Sequence, residues 1–159
     1  MRAFLFFTAL FFSANVFSQT SIIGKWKPVT YDMGSMMKAD VISGTVTISD
    51  SLKMKFKDDK DPVGSAKMME GLGSIILEKM KNAREEYSDD GTWTETNVEN
   101  GKARTGKYNF IPESGLLTRD GRKEEKFVVT FKDDKMIFTS DLESKDGHIG
   151  KLIVVYSKF

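Results

Sequence analysis

The residues whose types admit chemistry are one histidine and a few close carboxylates. His148 follows Gly147 at a turn signal. Nucleophilic catalysis of the Ser-His-Asp kind needs a nucleophile and an orienting acid around the imidazole, and no spacing marks either. A zinc site needs further His or carboxylate ligands, and none cluster near His148 in sequence. Asp59, Asp61, Gly64 and Glu70 match positions one, three, six and twelve of a calcium-binding loop. Val63 falls at position five and offers no side-chain oxygen, whereas calcium takes six or more. This stretch reads instead as a charged loop entering a helix. The pairs Glu85–Glu86 and Glu124–Glu125 are adjacent in sequence. Neighbours on a strand point to opposite faces, so neither pair converges as the two acids of a glycosidase must. Both read as solvated strand edges. No glycine-rich phosphate loop links a strand to a helix. No residue is assigned to catalysis, to a metal or to a cofactor.

The elements that would position a site are strands. From Tyr87 to Tyr156, short alternating runs are separated by turns. Asp90-Gly91, Asn100-Gly101, Ser114-Gly115, Asp133-Asp134 and Asp146-Gly147 mark those turns. Asp-Gly and Asn-Gly steps between alternating runs are strong hairpin signals, because their residues tolerate positive φ. Even spacing of this kind predicts an antiparallel up-and-down meander, either a sandwich or a closed barrel. Ile22 to Val29 reads as a first strand, with Pro28 at an edge or bulge. Residues 32–39 are rich in Met and Gly and read as irregular. Gly44 to Ile48 and Leu52 to Phe56 read as a hairpin around Ser49-Asp50-Ser51.

Between Val63 and Arg84 the period changes. Ala66, Met69, Leu72 or Gly73, Ile76, Met80 and Ala83 recur every three or four residues, with charges mostly off that stripe. This predicts one amphipathic helix, inserted before most of the strands. Gly64, Gly71 and Gly73 each cost it roughly 1 kcal/mol relative to Ala, so it depends on packing its apolar face. It would lie either over the mouth of the β domain or against its outside.

Residues 1–18 read as a secretory signal peptide. Arg2 supplies the charge, Phe4 to Phe12 the apolar stretch, and Val16 and Ser18 the small-residue cleavage site. The apolar stretch is shorter than the ~20 residues that a membrane span needs. Residues 19–159 then form one domain, exported to the periplasm or secreted, with no transmembrane segment after cleavage. The chain has no cysteine, which excludes a lipid anchor on an N-terminal Cys, disulfides and a thiolate metal site. Its formal charge is +1 with both signs dispersed, so no basic block marks a nucleic-acid surface.

What remains is an inward face. Period-two alternation groups Phe127, Val129 and Phe131 with Met136 and Phe138 of the next strand. Leu152, Val154 and Tyr156 follow on the last strand, while Tyr108 and Phe110 share a face that Tyr87 joins. The face of Trp93 is ambiguous, because Glu95 shares it. Such an interior is either a filled core or a cavity for a small apolar ligand.

Gly24-Lys25-Trp26 opening an exported β-meander, with Asp90-Gly91-Thr92-Trp93 and Gly106-Lys107-Tyr108 further on, resembles the bacterial secreted lipocalin-like proteins. The Thr-Asp-Tyr motif of true lipocalins is absent. The resemblance implies a calycin-type β-barrel in which Gly24 and Trp26 are structural. It also implies a cation after the last strand that packs on Trp26; Lys158 is the residue near that place. By implication, a small hydrophobic molecule binds among Tyr87, Tyr108, Phe110, Phe127 and Val129, and Phe131, Met136, Phe138, Val154 and Tyr156, without catalysis. The competing expectation is a structural or protein-interaction module with a filled barrel. A hydrolase is disfavoured by the want of a nucleophile–base pair. Nothing in the sequence fixes the oligomeric state.

Overall fold

The computed structural model describes residues 21–120, 124–143 and 149–159. Residues 1–20, read as a signal peptide over 1–18, the Asp146-Gly147 turn and His148 lie outside the described residues. The described residues form ten strands and two helices in the order β1 (Gly24–Asp32), β2 (Met37–Asp40), β3 (Thr45–Ile48), α1 (Asp50–Lys57), α2 (Pro62–Asn82), β4 (Ala83–Tyr87), β5 (Thr92–Asn97), β6 (Ala103–Ile111), β7 (Leu116–Arg119), β8 (Glu125–Lys132), β9 (Lys135–Glu143) and β10 (Ile149–Lys158). From β4 to β10 each strand pairs antiparallel with the next. β1 joins β10 on one edge and the end of β4 on the other. This closes an eight-stranded up-and-down barrel, the closed form of the two that the meander allows.

The hairpin chemistry explains the order. Lys132 pairs with Lys135, and the two residues between them, Asp133 and Asp134, have φ of 51° and 58°. Those values fit the two-residue turn whose twist matches the flanking strands. β6 and β8 then alternate: Tyr108 and Phe110 turn in, as do Phe127, Val129 and Phe131, while Lys107, Asn109, Lys126 and Thr130 face out. Pro28 lies at a register shift of β1 against β10, between Pro28 and Thr30, where a residue without an N–H is tolerated.

The segment between β1 and β4 differs from its expectation in three places. Met37–Asp40 is not irregular but pairs with β3 and with Thr30–Asp32 of β1. Leu52 to Phe56 is not a strand but lies in α1. The Ser49 hydroxyl accepts a hydrogen bond from Leu52 N at 3.1 Å, a helix cap. Leu52 and Phe56, four residues apart, then fall on one helix face and pack beside Met37, Ile48 and Met69. Strand alternation and a single helical turn place these two residues alike, so the cap decides. The long helix ends at Asn82, and Ala83 and Arg84 are extended in β4.

α2 buries Met69, Gly73, Leu77 and Met80, and Leu72 is on the exposed side. Its partners are the β2–β3 hairpin and Tyr31: Met69 packs with Met37 and Ile48, and Leu77 and Met80 pack with Ala39. The α2 face is therefore covered by this hairpin. The Asp59–Glu70 stretch is a helix entry, as expected: Asp61 Oδ1 accepts from Gly64 N at 2.9 Å. No helix among the described residues is long and apolar enough to cross a membrane.

Candidate functional site

The barrel interior is one cluster. Trp26, Tyr87, Trp93, Leu117, Val129, Met136, Phe138, Val154 and Tyr156 are buried in it, with Tyr108, Phe110, Phe127, Phe131 and Leu152 partly buried against them. All ten interior residues singled out from the sequence thus come together. The cross-strand register brings Val129 opposite Phe138 and Phe131 opposite Met136. Tyr156 pairs with Met136, and Val154 with Phe138. The Tyr87 and Tyr108 rings meet edge to face at 5.1 Å, and the Phe138 and Tyr156 rings are 4.9 Å apart. Trp26 closes the end where the chain enters. Its indole Nε1 donates to Ile22 O at 2.8 Å, and Lys158 Nζ lies 5.1 Å from its ring centroid. The ambiguous Trp93 turns inward and is buried.

A charged cluster lies among these side chains, and Glu85 is the cross-strand partner of Trp26. Five consecutive strands each send one ionisable side chain to this cluster: Glu85 from β4, Glu95 from β5, Arg104 from β6, Arg119 from β7 and Glu125 from β8. Arg119 is 4% exposed and Glu85 7%. Arg119 Nη1 donates to Glu85 Oε2 at 2.9 Å and to the Tyr87 hydroxyl at 2.8 Å. Its Nη2 donates to Glu125 Oε2 at 2.7 Å. Tyr87 donates to Glu85 Oε2 and Tyr156 to Glu85 Oε1, each at 2.8 Å. Arg104 reaches Glu125 at 3.7 Å and also pairs with Glu95. The chain of alternating charge runs from the half-exposed Arg104 inward to Glu85.

The reading of Glu85 and Glu125 as solvated strand edges is overturned by these contacts. Alternation was right, since Glu86 and Glu124 do face solvent, but each partner glutamate turns into the barrel. The signal was present in the period. Glu85 lies two residues before Tyr87, Glu95 two after Trp93, Arg119 two after Leu117 and Glu125 two before Phe127, so each shares the face of an inward apolar neighbour.

Aromatic faces hold the Arg119 guanidinium. Its carbon is 4.7 Å from the Trp93 centroid, 4.8 Å from Phe127 and 5.7 Å from Phe138. Burial by itself would lower the Arg119 pKa, but the Glu85 carboxylate and, after it, Tyr87, Tyr156 and Glu125 outweigh burial and raise it. The guanidinium stays charged. Burial and then the Glu85 charge push the Tyr87 and Tyr156 phenols well above their usual range, so both remain neutral donors. One polar atom of the cluster, Arg119 Nε, is buried without a hydrogen-bond partner. Gly106 makes room for Trp93 beside this cluster. It pairs with Trp93, and a Cβ there would overlap Asp120 O and lie 2.8 Å from Trp93 Nε1.

The arrangement sets fixed donors and acceptors among apolar and aromatic side chains. Among the described residues, no group of three or more His, Asp or Glu is placed to hold a metal ion. A surface pocket of about 310 Å³ opens by the turn at residues 112–115, beside Phe110, Val129 and Phe131.

No family model matches the chain, and no curated protein matches it. Among solved structures the chain is similar to a DUF4847 family protein from Bacteroides vulgatus ATCC 8482. The two are 12% identical, 84% of this chain and 91% of that chain are covered, and the TM-score is 0.45.

Proposed function

We propose that this protein is an exported, non-enzymatic, lipocalin-like barrel that carries a small hydrophobic molecule in its interior. One observation carries the reading: a buried ionic network within an interior that is otherwise apolar and aromatic. Stability does not call for it. Replacing a buried ion pair by apolar residues of similar volume is often neutral or stabilising. Small-molecule sites, in contrast, combine apolar walls with a few placed polar groups. The Gly24-x-Trp26 opening and the Lys158 ammonium over the Trp26 ring support the lipocalin likeness. Export rests on the charged start and apolar run of residues 1–18.

A specific observation favours a second reading, an interaction module with a solid core. Trp26, Trp93, Tyr87, Phe138, Leu117 and Met136 are among the most deeply buried side chains. Fluorescence of the neutral apolar probe N-phenyl-1-naphthylamine separates the two. The carrier should bind it, and Phe138→Glu or Phe110→Glu should abolish binding in variants that fold. Folded wild type that binds no probe leaves the module. Export has its own readout: the intact mass of the exported protein should correspond to a chain starting near Gln19.

A further inference from the structure

Resting on the carrier reading, we propose that the interior ligand is a neutral amphiphile with an oxygen acceptor at its polar end. The acceptor is a carbonyl or ester oxygen received by Arg119 Nε, and the site discriminates against free carboxylates. Arginine offers donors only. Both terminal nitrogens of Arg119 are engaged, on Glu85, Tyr87 and Glu125, whereas Nε is buried and unpartnered. An unmet buried donor is costly, so a ligand that brings an acceptor gains what a hydrocarbon cannot. The guanidinium is also held between the Trp93 and Phe127 rings, so the donor is fixed in direction before the ligand arrives.

Charge selects the kind of acceptor. Among the described residues, the cluster has three carboxylates, Glu85, Glu95 and Glu125, against two guanidiniums, Arg104 and Arg119, a formal excess of one negative charge. An incoming carboxylate would meet that excess in a low-dielectric interior and compete with Glu85 and Glu125 for Arg119. An incoming ammonium would face Arg119, and the Glu85 oxygens already accept three hydrogen bonds. A neutral acceptor avoids both costs.

The test is displacement of bound N-phenyl-1-naphthylamine by methyl decanoate and by decanoate at a pH where decanoate is ionised. These share a chain and differ at the head. Methyl decanoate should displace the probe at about tenfold lower concentration. Glu125→Gln, at a partly exposed position, removes one negative charge and should narrow that preference about tenfold by strengthening decanoate. Arg119→Lys keeps the charge but loses the fixed Nε donor, and should weaken methyl decanoate selectively. Decanoate binding as tightly as the ester to wild type, or a preference unmoved by Glu125→Gln in a folded variant, overturns the head-group assignment and leaves the carrier reading standing. Failure of folded wild type to bind the probe at all overturns both.

Discussion

Arg119 Nη1 lies 2.9 Å from Glu85 Oε2, an ion pair inside the barrel that joins β7 to β4 across its interior. The two residues are far apart in sequence, so the pair forms only when the meander has wrapped round. Removing one partner strands the other charge. Arg119→Met should therefore cost about 3–5 kcal/mol in urea titration. Glu85→Gln added to it should recover much of that loss, because the second change removes the stranded carboxylate. A single-variant loss below about 1 kcal/mol would mean that water reaches the pair.

The tyrosines on Glu85 set the alkaline limit. Tyr87 and Tyr156 are raised well above the usual tyrosine pKa of about 10, by burial first and by Glu85 next. The unfolded chain loses these protons above about pH 10 while the folded chain keeps them. Their stabilising effect is thus fully present below pH 10 and declines as pH rises toward the folded values. The slope should approach about 1.4 kcal/mol per pH unit for each tyrosine. Tyr156→Phe should reduce that slope, though at the expense of a donor to Glu85. Denaturant titrations across the alkaline range check this; equal slopes for wild type and variant would sink it.

The barrel was legible because period two and turn chemistry agree along it. Phe127, Val129 and Phe131 alternate with polar residues up to a turn that only positive φ can make. The charged cluster was not read, because a glutamate's composition speaks for solvent and only its parity with Tyr87 or Phe127 speaks for the interior. α1 was missed for a related reason. Leu52 and Phe56 satisfy both periods over so short a run, and the deciding group, the Ser49 hydroxyl on Leu52 N, lies outside the apolar pattern.

Trp26 anchors the entry end of the barrel. The indole is 2% exposed, its N–H is satisfied by Ile22 O, and Lys158 stacks over it. Trp26→Ala should cost about 3–5 kcal/mol. Lys158→Ala should cost only about 0.5–1 kcal/mol, the range for an exposed cation over a ring. Chemical denaturation measures both. A Lys158 effect equal to that of Trp26 would mean that the cation, and not burial, holds this end together.

Two glycines of α2 make opposite predictions from the same substitution. Gly71 and Gly73 are both helical, and each should gain about 1 kcal/mol of helix propensity on becoming Ala. At Gly71 nothing lies within 4 Å of an added Cβ, so Gly71→Ala should stabilise by most of that amount. At Gly73 the added Cβ would overlap Val46 Cγ1 on β3. Val46 is β-branched and stiff at χ1, so it cannot swing aside cheaply. The helix or the hairpin must shift, and overpacking of this kind costs about 1–3 kcal/mol. Gly73→Ala should therefore be neutral to destabilising despite its propensity gain. The pair also tests the packing of α2 on the β2–β3 hairpin. If both variants are stabilised alike in thermal or urea unfolding, Gly73 does not face Val46 in solution, and α2 packs elsewhere. Val46→Ala combined with Gly73→Ala supplies the control, because relieving the overlap should restore part of the lost stability.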